Sequence, residues 1–110
     1  MTDTINPNQA VDFILKNAKH FAKAKAERVY LEEYRKSKKA ILMRQSTEST
    51  SAAQERDAYA HPEYLALLEG LKQAVETEEQ LRWTLIAAQA RVEIWRSQEA
   101  SNRIQDRAAQ

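Results

Sequence analysis

Across 110 residues the chain holds one glycine, Gly70, and two prolines, Pro7 and Pro62. That scarcity excludes most folds. Sandwiches and barrels of short strands need turn formers every few residues. Ala, Glu, Lys, Leu, Arg and Gln predominate instead, the make-up of long helices and coiled coils. The chain is expected to be all-α.

Local signals place the helices. Asn6 before Pro7 is a helix start: the Asn carboxamide can accept from free backbone N–H groups, and proline at the first helical position forfeits no hydrogen bond. Gln9 stands three residues after Asn6, as in a capping box. No glycine or proline follows until Pro62, so the first long helix is expected over 7–45. Residues 46–51 (Ser-Thr-Glu-Ser-Thr-Ser) then place five hydroxyl side chains in six positions. Such side chains compete with helical hydrogen bonds and favour a turn. Ser51 with Gln54 is expected to cap a short helix reaching about Tyr59, and His61-Pro62-Glu63 repeats the start signal for a second long helix over 62–106. The expectation is one helical domain over 1–110 with frayed termini. Its fold is two long helices in an antiparallel coiled-coil hairpin, joined through 46–61 by a turn and a short helix.

Helical periodicity assigns faces. On the first helix Val11, Ile14, Leu15, Ala18, Phe21, Ala22, Val29, Ala40 and Met43 share one side, interrupted by Lys25, Glu32, Glu33 and Lys36. On the second, Leu67, Leu71, Ala74, Leu81, Leu85, Ala88, Val92 and Trp95 follow alternating four- and three-residue steps, a coiled-coil seam broken at Glu78. Glu78 is expected to pair with Lys25 or Lys36. A second stripe, with Leu65, Leu68, Val75, Trp83, Ile86, Ala87, Ala90 and Ile94, lies roughly opposite. One apolar face suffices for a lone hairpin, so two imply dimerisation or a higher bundle. Leu68, Val75, Trp83, Ile86, Ala90 and Ile94 are the candidate protein interface. The rows Ala18-Ala22-Ala26 and Ala66-Gly70-Ala74 are expected to mark close approach between the helices; the competing reading is that Ala is simply the best helix former.

Chemistry is sparse. There is no cysteine, hence no disulfide framework and no thiolate, as suits a reducing cytoplasm. No apolar run approaches a membrane span, and residues 1–12 lack a signal-peptide core. The expected location is cytoplasmic, with no membrane partner. Neither a Gly-rich phosphate loop nor a His-x-x-x-His metal spacing occurs. His20 and His61 are too far apart along the helices to act together, and Glu76, Glu78 and Glu79 lack the Glu-x-x-His companion of a bundle metal site. No enzyme, cofactor or metal is expected.

Charge is more telling. The net +1 conceals a split: residues 1–47 carry ten Lys/Arg against five Asp/Glu, and 48–110 carry seven against eleven. Either the halves attract each other, or the basic half meets an acidic partner. Lys16, Lys19, His20, Lys23, Tyr30, Tyr34 and Lys38 lie opposite the first apolar stripe, and Arg35, Lys36 and Lys39 extend the charge. Cations neutralise phosphates and tyrosines stack on exposed bases, so Lys16, Lys19, Lys23, Tyr30, Tyr34, Arg35, Lys38 and Lys39 are candidate contacts to DNA, single strands favoured. The alternative is an ordinary solvated helix face. In the second half six of seven basic residues are Arg, with Arg82-Trp83 and Trp95-Arg96 adjacent. Such pairs serve as interface anchors or as intrahelical stacks.

The stretch 26–39 (AERVYLEEYRKSKK), together with Arg82-Trp83, 88–97 (AQARVEIWRS) and 100–103 (ASNR), resembles small helical proteins of tailed phages and prophages, encoded among early genes for DNA recombination and replication. The resemblance implies a phage accessory role in the host cytoplasm and carries over no residue's function. The expected protein is a non-catalytic accessory factor that self-associates and contacts DNA or a nucleoprotein complex. The alternative is a protein–protein module, such as a virion-assembly factor or an inhibitor of a host defence or replication protein.

Overall fold

A computed structural model describes residues 4–109; the expected fraying of the outermost residues lies outside them. The fold is all-α, with three helices: α1 (Pro7–Gln45), α2 (Ser51–Ala60) and α3 (Pro62–Ala109). Two long helices, of 39 and 48 residues, are joined by a short one of ten. Three side chains set the helix starts. Asn6 Oδ1 accepts from the N–H groups of Asn8 and Gln9 at 3.0 and 3.2 Å. Thr50, one residue before the Ser51 expected from sequence, caps α2 by accepting from Ala53 N–H. His61 Nδ1 accepts from Glu63 N–H at 3.0 Å. α3 runs three residues past the expected Asp106, since no Gly or Pro stops it.

The chain divides into two compact units, one of residues 1–21 with 80–110, the other of 22–79. In the second, Lys38 reaches Glu63 and Arg28 reaches Glu78, so α1 and α3 run antiparallel. Its core is the cluster Leu42, Ala58 and Tyr64, with Met43 and Leu68 packed against it. Tyr59 meets Tyr64 edge-on at 5.3 Å. The Ser/Thr linker is held as well: Ser46 Oγ donates to Asp57 Oδ2 at 2.6 Å and accepts from Glu48 N–H, while the Gln54 amide donates to the Glu48 carbonyl. The first unit also pairs α1 with α3 antiparallel, Ala10 and Phe13 sharing a groove with Ala88 and Arg91. Ala10 and Ala88 are its buried residues, with Ile14, Phe21, Leu81, Leu85, Val92 and Trp95 half-buried.

The α3 seam is as expected. Leu67, Leu71, Ala74, Glu78, Leu81, Leu85, Ala88, Val92 and Trp95 are all buried or half-buried. The α1 face is not. Val11, Leu15, Ala18, Ala22, Val29 and Ala40 are exposed, and the inward row is Ala10, Ile14, Asn17, Phe21, Ala24, Arg28, Leu31, Arg35, Lys38 and Leu42. The physical reason is cross-helix pairing. Arg28 and Lys38 turn inward because Glu78 and Glu63 of α3 receive their charged ends, while their stems cover apolar surface.

Close approach at the small-residue rows is also overturned, except at Ala74, which is buried. Ala18, Ala22, Ala26 and Ala66 are exposed, and nothing lies within 4 Å of where a Cβ on Gly70 would stand. Gly70 instead borders an open groove, and its φ is negative as in any helical residue. Gly70→Ala is therefore expected to stabilise the fold by about 1 kcal/mol through helix propensity. Thermal unfolding should show a rise of roughly 4 °C or more; a fall would mean that another helix approaches this backbone.

Candidate functional site

The eight candidate DNA contacts part company in the structure. Lys16 and Lys19, in the first unit, and Lys23 and Tyr30, in the second, are exposed. No described ion pair engages the three lysines. Lys38 and Lys39 are committed elsewhere. Lys38 Nζ stands 2.9 Å from Glu63 Oε2; their hydrogen bond raises the lysine pKa and lowers that of the glutamate. Lys39 Nζ sits 4.7 Å from the centre of the Tyr59 ring and 3.1 Å from Glu55 Oε1, and Tyr59 and then Glu55 push its pKa up. Arg35 is half-buried on the inward row. The local sequence explains the partition. Residues 13–26 contain four lysines and no Asp or Glu, whereas Lys38 and Lys39 lie across from the acids of α2 and α3.

Tyr30 and Tyr34 stack nearly parallel, with ring centres 5.8 Å apart and planes 7° from each other. Together they wall a groove of about 660 Å³ over Ala24, Leu31, Ala66, Leu67, Gly70 and Ala74. Glu27 on its rim adds negative charge, which does not suit a nucleic-acid backbone.

Glu78 is the buried charged residue among those described. Its expected partners, Lys25 and Lys36, are replaced by Arg28. Arg28 Nε donates to Glu78 Oε2, Nη2 donates to Oε1 at 3.0 Å, and Nη1 donates to Glu32 Oε2 at 3.0 Å. A guanidinium fork matches a carboxylate in two bonds where an ammonium cannot. The hydrogen bond to Glu78 is the main cause that raises the Arg28 pKa above the ordinary arginine value. Lys36 pairs with Glu33 on its own helix and Lys25 is exposed.

The candidate protein interface also divides. Leu68 packs against the Leu42 cluster and is a core residue. Val75, Trp83, Ile86, Ala90 and Ile94 are exposed, Trp83 at 60%. Arg82 lies 5.7 Å from the centre of the Trp83 ring. Sequence reasoning passed over one element of the first unit: Val11 and Leu15, assigned to the core, face outward beside a groove of about 420 Å³ lined by Ile14, Ala18, Phe21, Arg82, Leu85, Ile86 and Gln89. Their exposure follows from the true α1 seam, one helical position away.

No protein-family model, curated protein or solved structure matches the chain.

Among the described residues no three His, Asp or Glu side chains gather to hold a metal ion, and no helix is long and apolar enough to cross a membrane. What the side chains present is charge, apolar surface and aromatic faces.

Proposed function

We propose that this chain is a non-catalytic helical accessory protein, of the kind tailed phages encode, that contacts DNA through the outer lysines of α1, single strands favoured. The observation that carries this reading is the carboxylate-free stretch 13–26, whose Lys16, Lys19 and Lys23 are exposed and outside the described ion pairs. Other α1 cations, Arg28, Lys36, Lys38 and Lys39, are neutralised by neighbouring acids. Clustered lysines outside such ion pairs present a positive field to phosphate and release counterions when they meet it.

A salt titration of single-stranded DNA binding tests the proposal. Replacing Lys16, Lys19 and Lys23 together by Gln should weaken binding more than about tenfold at about 50 mM salt and reduce the salt slope by about 2. Replacing Lys38 and Lys39 by Gln should leave affinity nearly unchanged while lowering thermal stability. Absence of binding by the unaltered protein at low salt overturns the reading. Exposed Trp83 favours a second one, a protein–protein module for virion assembly or inhibition of a host protein. A stoichiometric protein partner that survives nuclease and is lost in Trp83→Ala would support it.

A further inference from the structure

We propose that the groove of the second unit, between Tyr30 of α1 and Gly70 of α3, takes one base of a single-stranded DNA and prefers bases that carry an amine. This rests on the DNA contact proposed above and names where a base sits.

The aromatic wall comes first. Tyr30 and Tyr34 line the groove one helical turn apart, their ring planes 7° from parallel. Tyr34 is half-buried and occupies one side of the Tyr30 ring, while Tyr30 is 61% exposed. A ring backed in this way offers a fixed π-face, and every base has a π-face to stack on it.

The second observation is depth. The groove holds about 660 Å³, and nothing lies within 4 Å of where a Cβ on Gly70 would stand. No neighbouring helix requires the glycine, and a glycine inside a helix lowers stability. A local rule broken with no packing to explain it marks a functional position. Here the missing side chain keeps the groove open across from Tyr30.

The third is the charge at the edge, and it selects the ligand. Glu27 lines the groove, and Lys23 is exposed one turn earlier on the same side of α1. Neither enters a described ion pair. A phosphate chain laid in the groove would meet Glu27, and a cationic peptide would meet Lys23. A nucleotide answers both. Its phosphate suits the Lys23 ammonium, and the exocyclic amine of cytosine or adenine donates to the Glu27 carboxylate. Gln73 lines the groove from α3 with an amide that both donates and accepts. Thymine has no such amine, so Glu27 disfavours it.

Three chains of equal length test the assignment at about 50 mM salt: oligodeoxycytidine, oligothymidine and an abasic deoxyribose phosphate chain. The unaltered protein should bind oligodeoxycytidine about tenfold more tightly than the abasic chain, the gain that one stacked base supplies. It should bind oligodeoxycytidine about threefold more tightly than oligothymidine. Tyr30→Ala should remove most of the gain over the abasic chain and leave the affinity for that chain unchanged. Gly70→Leu should do the same with thermal stability held or raised, which separates a filled groove from a damaged fold. Glu27→Leu should bring the two base-bearing chains within about twofold of each other. Equal affinity of the unaltered protein for oligodeoxycytidine and the abasic chain overturns the groove assignment and leaves the lysine contact standing. So does a gain that survives both Tyr30→Ala and Gly70→Leu. Should an arginine-rich peptide, and not oligodeoxycytidine, lose affinity on Tyr30→Ala, the groove belongs to a protein partner and the proposal fails. Binding of none of the three chains overturns the DNA reading and this one with it.

Discussion

An Arg28→Ala protein is expected to unfold on the order of 10 °C below the unaltered one. The guanidinium donates two bonds to Glu78, which is 7% exposed. Removing the guanidinium strips the buried carboxylate of a two-bond partner and uncovers the apolar surface under the arginine stem, which costs more than the intact pair contributes. Thermal melts across pH expose the mechanism. In the variant the carboxylate loses two donated hydrogen bonds that favour its charged form, so its folded-state pKa lies above that in the unaltered protein. The variant's deficit is therefore largest near neutrality and narrows toward acid. Arg28→Met combined with Glu78→Leu should recover most of the loss, because apolar residues of similar volume remove the desolvation penalty altogether. Equal deficits at all pH values would locate the effect in lost packing of the arginine stem.

Leu42→Ala is expected to be as damaging, by a different route. Leu42 is 3% exposed and meets Ala58 of α2 and Tyr64 of α3, with Met43 and Leu68 against the same cluster. There, all three helices share a core. Truncation removes apolar burial and leaves a cavity among elements that cannot readily collapse, a cost of about 3 kcal/mol. Chemical denaturation should show that loss as a lower midpoint with little change in slope. A loss under about 1 kcal/mol would mean that α2 is not needed to hold the turn. A changed slope would mean that the turn unfolds separately from the rest.

The two variants probe what was hardest to read from sequence. The start of each long helix was legible because it is a local property: Asn6-Pro7 and His61-Pro62 place an acceptor before a residue that needs no donor. The α3 seam was equally legible, since Leu, Ala and Val recur at alternating four- and three-residue steps with one exception. The α1 seam was not. Its inward row carries Asn17, Arg28, Arg35 and Lys38, and a search for hydrophobicity passes over such residues. The richer apolar arc through Val11 and Leu15 drew the assignment away. The candidate binding residues show the same division. That no Asp or Glu stands between Asp12 and Glu27 is written in the chain order, whereas the capture of Lys38 by Glu63 and of Lys39 by Glu55 depends on how the helices turn back.

The sequence by itself determined that the chain is helical, where its long helices begin and which face of α3 turns inward. Each of these follows from residue order within a few turns, through capping, backbone freedom and periodicity. Only the tertiary structure decided which face of α1 meets α3, that Arg28 rather than Lys25 or Lys36 holds Glu78, and that Gly70 borders open space. Those outcomes depend on pairing between residues some 25 to 50 positions apart, where a buried carboxylate selects its partner by reach and geometry, and no local pattern encodes that choice.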